Sequence, residues 1–171
     1  MDSITTYFNG EKFQCTIGAI ASIIFIVTSI FFLFQEKLFL KGIAYATIPL
    51  SILLLIICVG VIFRTSKDIE RVTTFYKETP KSIQVEEIPR MEKVVKSFNV
   101  IKKVEIAIFI IGLALAIIFW RNELIRGIAV GLIIMSISLY TFDHIAESRG
   151  EAYIKFLNTP INLGLKESPN R

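Results

Sequence analysis

Apolar and polar positions fall along this chain in long blocks, and the blocks predict membrane-crossing helices. Residues 15–34 and 43–63 contain no charged side chain, and each supplies the about 20 apolar residues that a helix needs to cross bilayer hydrocarbon. Residues 106–120 form a shorter uncharged run bracketed by Glu105 and Arg121 and closed by Trp120, a residue suited to the membrane interface. Residues 124–142 are long enough, with Arg126 near one end and able to snorkel outward. Four spans are expected. The turns between paired runs, Gln35-Glu36-Lys37 and Arg121-Asn122-Glu123, are too short for a domain, so the flanking helices must be antiparallel neighbours.

The fold class expected is therefore an all-α integral membrane protein: two transmembrane hairpins with helical extensions. Its parts are an N-terminal segment (residues 1–14), a first hairpin (15–63), an amphipathic linker (64–103), a second hairpin (104–142) and an extension with its tail (143–171). In the linker, Ile69, Val72 and Tyr76 recur at helical spacing, extending span two to about Lys77, where Thr79-Pro80 stops it. Pro89 then precedes a helix with Met91, Val94, Val95, Phe98 and Ile101 on one face and the pair Glu92 and Lys96 on another. Forty such residues cannot bury a large core alone. They are expected to pack on each other, on the membrane surface or on a partner. Helix four is expected to end at Asn158-Thr159-Pro160, with a frayed tail after it.

Composition agrees with the blocks: 171 residues are 53% hydrophobic with mean hydropathy +0.62, too apolar for an ordinary soluble domain. The net charge of +4 matters less than its distribution. Fifteen of the 19 Lys and Arg lie in the ends and the linker, and four, Lys37, Lys41, Arg121 and Arg126, in or just after the two turns. The positive-inside rule then puts both termini and the linker in the cytoplasm and the chain in the plasma (inner) membrane. Cys15 and Cys58 are expected to stay reduced there. The first apolar run is too long for a cleavable leader and lacks a small-residue site after it, so span one should be retained.

A shift of 85 residues lays positions 20–64 on 105–149 without a gap and gives 11 identities in 45. Aliphatic matches come cheaply; Lys41/Arg126, Gly42/Gly127, Ser51/Ser136 and Arg64/Arg149 carry more weight. They indicate a tandem duplication whose copies share one orientation and a pseudo-twofold along the membrane normal. The small-residue pairs Gly42/Ala46, Gly112/Ala116 and Gly127/Gly131 mark faces where helix backbones can approach closely.

No span carries an ionisable group at mid-depth, which disfavours proton-coupled carriers and ion pathways. Pro49 should kink span two. Thr28, Ser29, Thr47, Ser51, Ser136 and Ser138 are expected to bond their own helix or its neighbour. The densest polar cluster is Tyr140, Asp143, His144, Glu147, Arg149 and Glu151. Asp143, His144, Cys58 and Glu147 are the candidate ligands of a transition metal, although a helix leaving a membrane ordinarily becomes charged and solvated. Lys96, Lys102 and Lys103, beside a membrane boundary, suit anionic lipid headgroups. The chain has no G-x-S-x-G, H-E-x-x-H or Walker-type loop, so neither catalysis nor a cofactor is expected. Its basic residues lack the aromatic platform of a nucleic-acid surface. The expected function is a non-enzymatic anchoring or assembly component that works through its cytoplasmic helices, with the bilayer, a membrane protein or a second copy as partner. The alternatives are a small channel or carrier with its path between the hairpins, and a membrane protein with an inner-face metal site.

Overall fold

A computed structural model describes residues 2–159, and the described residues form helices joined by turns, with no strand among them. Four long helices dominate: α1 (Asp2–Leu33), α2 (Leu38–Glu78), α4 (Ile88–Ile118) and α5 (Glu123–Leu157). Between α2 and α4 lie one turn of helix, α3 (Pro80–Ser82), and a π-helical segment, Ile83–Glu87. α5 ends at Leu157, with Asn158 and Thr159 following as expected; Pro160 and the tail, residues 161–171, lie outside the described residues.

Each element starts and stops for local reasons. α2 ends at Thr79, whose N–H bonds the Phe75 carbonyl before the proline. Asn122 caps α5, its side-chain oxygen accepting from the Ile125 N–H at 3.2 Å. Pro89 has no N–H for the Val85 carbonyl and its ring clashes with it, so the preceding turn widens and the Ile88 N–H bonds Ile83 instead. The polar N-terminal segment is helical and forms the first turns of α1.

The pairing follows from contacts at matched heights. α1 packs along α2, with Glu11 on Arg64 near one end and Ser29 on Thr47 near the other. α4 packs along α5, with Lys102 on Glu147 and Gly112 against Ile133. Both pairs run antiparallel. α2 and α5 form the central contact and run parallel, with Gly42 beside Gly127, Ala46 beside Gly131 and Ser51 beside Met135. We call the end with the two tight turns the turn end and the other the head end.

Three helices, α1, α2 and α5, are long and apolar enough to cross a membrane. In α4 the charges Lys102, Lys103 and Glu105 stand at the start of the apolar run, which is why its uncharged part is shorter than the others. Only 17% of the apolar window of α1 is buried within the protein, and 28% in each of α2 and α5. Large apolar side chains therefore point outward along these helices; Phe31 and Phe34 are 61% and 82% exposed.

The largest enclosed apolar core is at the head end, where all four long helices meet. Ile4 and Phe8 of α1, Val72 of α2, Ile83 of the π segment, Met91 of α4 and Tyr153 and Leu157 of α5 bury one another. Tyr7 stacks on Tyr153 at 4.1 Å between ring centres, with Phe8 edge-on to both. The linker does not have to build a core of its own, because the two ends of the described chain complete it.

Candidate functional site

Three constellations carry the polar chemistry. The first is the helix crossing at the turn end. A methyl on Gly42 would run into the Leu124 carbonyl oxygen, and one on Gly127 into the Phe39 carbonyl oxygen. The contact is reciprocal, because Leu124 and Gly127 stand 85 residues after Phe39 and Gly42. Gly131 meets Ala46 and the Ile43 carbonyl, while Ala44 and Ala129 are fully buried. Gly112 lies against Ala129, Leu132 and Ile133 of α5, and Ala116 is half-buried. Buried hydroxyls are satisfied at the same level: Ser29 and Thr47 share a hydrogen bond of 2.5 Å, Thr47 donates to the Ile43 carbonyl and Ser136 to that of Ile133.

The second is a charged network in the head. Glu87 is 1% exposed and accepts from Arg90 Nη2 at 2.6 Å and Arg71 Nη2 at 3.4 Å. Arg71 also meets Asp68, which reaches Arg64, which reaches Glu11 of α1. Three arginines alternate with three carboxylates across α1, α2, the π segment and α4, so burial of Glu87 is compensated. The hydrogen bond to Glu87 holds the Arg90 guanidinium above its ordinary range. Burial pushes the Tyr153 phenol up, and its hydroxyl has no partner in the head core.

The third is a cavity of about 630 Å³ between the four helices, just on the turn-end side of the head core. Leu53, Ile56, Ile57 and Val61 of α2 and Phe98 and Ile101 of α4 are among its apolar lining; Gln14 and Asp143 line it near the level of Ile57, and Tyr7, Glu11, Arg64 and Arg149 line it toward the head. Gln14 is tied to the Phe142 carbonyl at 2.6 Å and Arg64 to Glu11 at 3.0 Å. Arg149 Nη1 is buried with no hydrogen-bond partner.

Of the four candidate metal ligands, His144 Nδ1 stands 3.9 Å from Glu147 Oε2, but among the described residues no group of three or more His, Cys, Asp and Glu is placed to hold a metal ion. Glu147 is engaged by Lys102 of α4, an ion pair that raises the lysine above its ordinary range. His144 is 61% exposed, with its ring 6.3 Å from that of Tyr140. Asp143 lies against Glu105 of α4, and Cys58 is buried against Cys15, both as free thiols. Asp143 and Glu147, which share one helical face, thus meet different residues of the same neighbouring helix, α4. Of the three headgroup lysines, Lys96 and Lys103 are exposed, whereas Lys102 is held by Glu147.

Sequence reasoning paired Arg64 with Arg149 by the 85-residue shift but did not place them on one cavity. Sequence reasoning did not mark Glu87 or Tyr7, and took Glu105 only as the edge of an apolar run; the contacts of Tyr7 with Tyr153, of Glu87 with Arg71 and of Glu105 with Asp143 come from other helices. No protein-family model matches the chain, and no curated protein or solved structure shows significant similarity to it.

Proposed function

We propose that the chain is a non-enzymatic, four-span integral membrane protein whose bilayer part anchors a preformed helical head, and that the head docks a membrane-protein partner or a second copy. The observation that carries this reading is the position of the main apolar core. Along α1, α2 and α5 the apolar side chains face outward and need a surrounding apolar medium, whereas the head buries its own. The uncharged part of α4, residues 106–120, completes the set of spans with Trp120 at its boundary. On this reading the linker and both described ends share the cytoplasmic side of the plasma membrane, and the reciprocal crossing at Gly42 and Gly127 is the meeting of two copies of a duplicated hairpin.

The rigidity of the head favours docking over a flexible tether: a charge network and a stacked aromatic core join four helices there. Its outward face on α4 is Glu92, Lys93 and Lys96, all exposed. Photo-crosslinking side chains placed at those three positions in the intact membrane should yield a discrete adduct with one protein species. Capture of lipid alone sinks the docking reading.

The carrier reading draws on the cavity, which lies between helices of different hairpins. The backbone contact of α2 with α5 at Gly42 and Gly127 counts against it, since no space remains there for a path between the hairpins.

A further inference from the structure

We infer that the four-helix cavity is a binding site for a single-chain anionic amphiphile drawn from the bilayer, with its head at Arg149 and its chain leaving between α2 and α4. The inference rests on the membrane reading above and goes beyond it by assigning a ligand to the space.

Three observations converge. The cavity has an apolar wall and a polar end, as an amphiphile requires, and its volume of about 630 Å³ falls among the ~300–1,000 Å³ of small-molecule sites. Its rim is open on the apolar side: Leu53, Ile56 and Ile57 on α2 and Ile101 on α4 line it yet are 54%, 64%, 52% and 40% exposed. On the α2 side Leu53, Ile56 and Ile57 belong to the uncharged run 43–63, so on the membrane reading a chain can slide in there from lipid without crossing water. Arg149 lines the cavity, and one nitrogen of its guanidinium, Nη1, is buried with no partner; an unpaired donor on a charged group is costly until an acceptor fills it.

The other charges lining the cavity do not supply the acceptor. Glu11 is committed to Arg64. Asp143 lies against Glu105, and two adjoining carboxyls resist being ionised together. An oxyanion head, carboxylate or phosphate, fits a guanidinium in fork geometry. The repeat strengthens the assignment, since Arg64 and Arg149 occupy equivalent positions and converge on this one space.

The test uses the full chain purified in a mild non-ionic detergent and titrated with cis-parinarate, a fluorescent fatty acid. Competition follows with oleate, lysophosphatidate, monoolein and inorganic phosphate. We expect oleate and lysophosphatidate to displace the probe, the better competitor identifying the head, while monoolein and phosphate do not. Arg149→Gln should weaken probe binding by about tenfold or more, the value of a lost charged hydrogen bond. Ile57→Trp, which fills the cavity from its rim, should abolish binding without removing any charge. Arg126→Gln, at the turn end, should bind as the parent does. Thermal unfolding of each variant separates lost binding from lost fold. Monoolein competing as well as oleate, or undiminished binding in both Arg149→Gln and Ile57→Trp, overturns the site. The membrane reading fails separately, by release of the chain from membranes in alkaline carbonate.

Discussion

A single methyl group at the α2–α5 crossing should do more damage than its size suggests. In Gly42→Ala the new Cβ would lie 3.0 Å from the Gly127 Cα and 2.9 Å from the Ile128 N, besides striking the Leu124 carbonyl. All three obstacles are backbone, so no side chain can rotate away and the two helices must separate along the crossing. Overpacking of this kind costs about 1–3 kcal/mol, and the small-residue contacts that follow at Ala46 and Gly131 loosen with it. At on the order of 2–4 °C per kcal/mol for a chain of this size, Gly42→Ala and Gly127→Ala should each lower the thermal midpoint by several degrees. Gly60→Ala is the internal control: nothing lies within 4 Å of its Cβ position, and alanine gains up to about 1 kcal/mol in a helix interior. The double variant at Gly42 and Gly127 should cost less than the two single costs combined, because one separation relieves both clashes. The assay is thermal unfolding in detergent micelles followed by circular dichroism. The reasoning is refuted if Gly60→Ala destabilises as much as the crossing variants, or if the double variant costs the full sum.

Two further outcomes follow from the head and from the first hairpin. Glu87→Ala leaves Arg90 without a carboxylate and Arg71 with Asp68 alone; because both arginines keep some contact with water, the expected loss is about 1–3 kcal/mol, and an unchanged unfolding midpoint would contradict it. Cys15 and Cys58, buried at the α1–α2 contact, should resist a maleimide in the native micelle and react fully once the protein is denatured in dodecyl sulfate. Equal rates in the two conditions would show that the contact is open.

The apolar blocks made the helices legible, and the three-residue polar turns made their pairing legible, because backbone groups in an apolar run have to be satisfied within the helix. Small residues likewise marked the faces of close approach. What they could not reveal was that Gly42 and Gly127 meet each other: a spacing of four describes one helix face and is silent on which helix covers it. The head core was hidden for a related reason. Ile4 and Phe8 stand in a polar stretch with no run of their own, and their partners Tyr153 and Leu157 lie near the opposite end of the described chain. The π turn is readable afterwards from Pro89, but a proline alone does not say whether a helix stops or widens. In the polar cluster at the end of α5, Asp143 and Glu147 share a face yet meet different residues of α4, Glu105 and Lys102, which spacing along one helix does not show.

Everything said of the head, the docking surface and the amphiphile site depends on the chain crossing a bilayer four times. Single cysteines at Glu36, Lys81 and Asn122, all exposed positions, can be introduced after Cys15 and Cys58 are replaced by serine, and labelled with an impermeant maleimide on intact cells and on inverted vesicles. The account predicts that positions 36 and 122 label from outside and position 81 only from the cytoplasmic side. Finding 81 on the same side as 122 would contradict it.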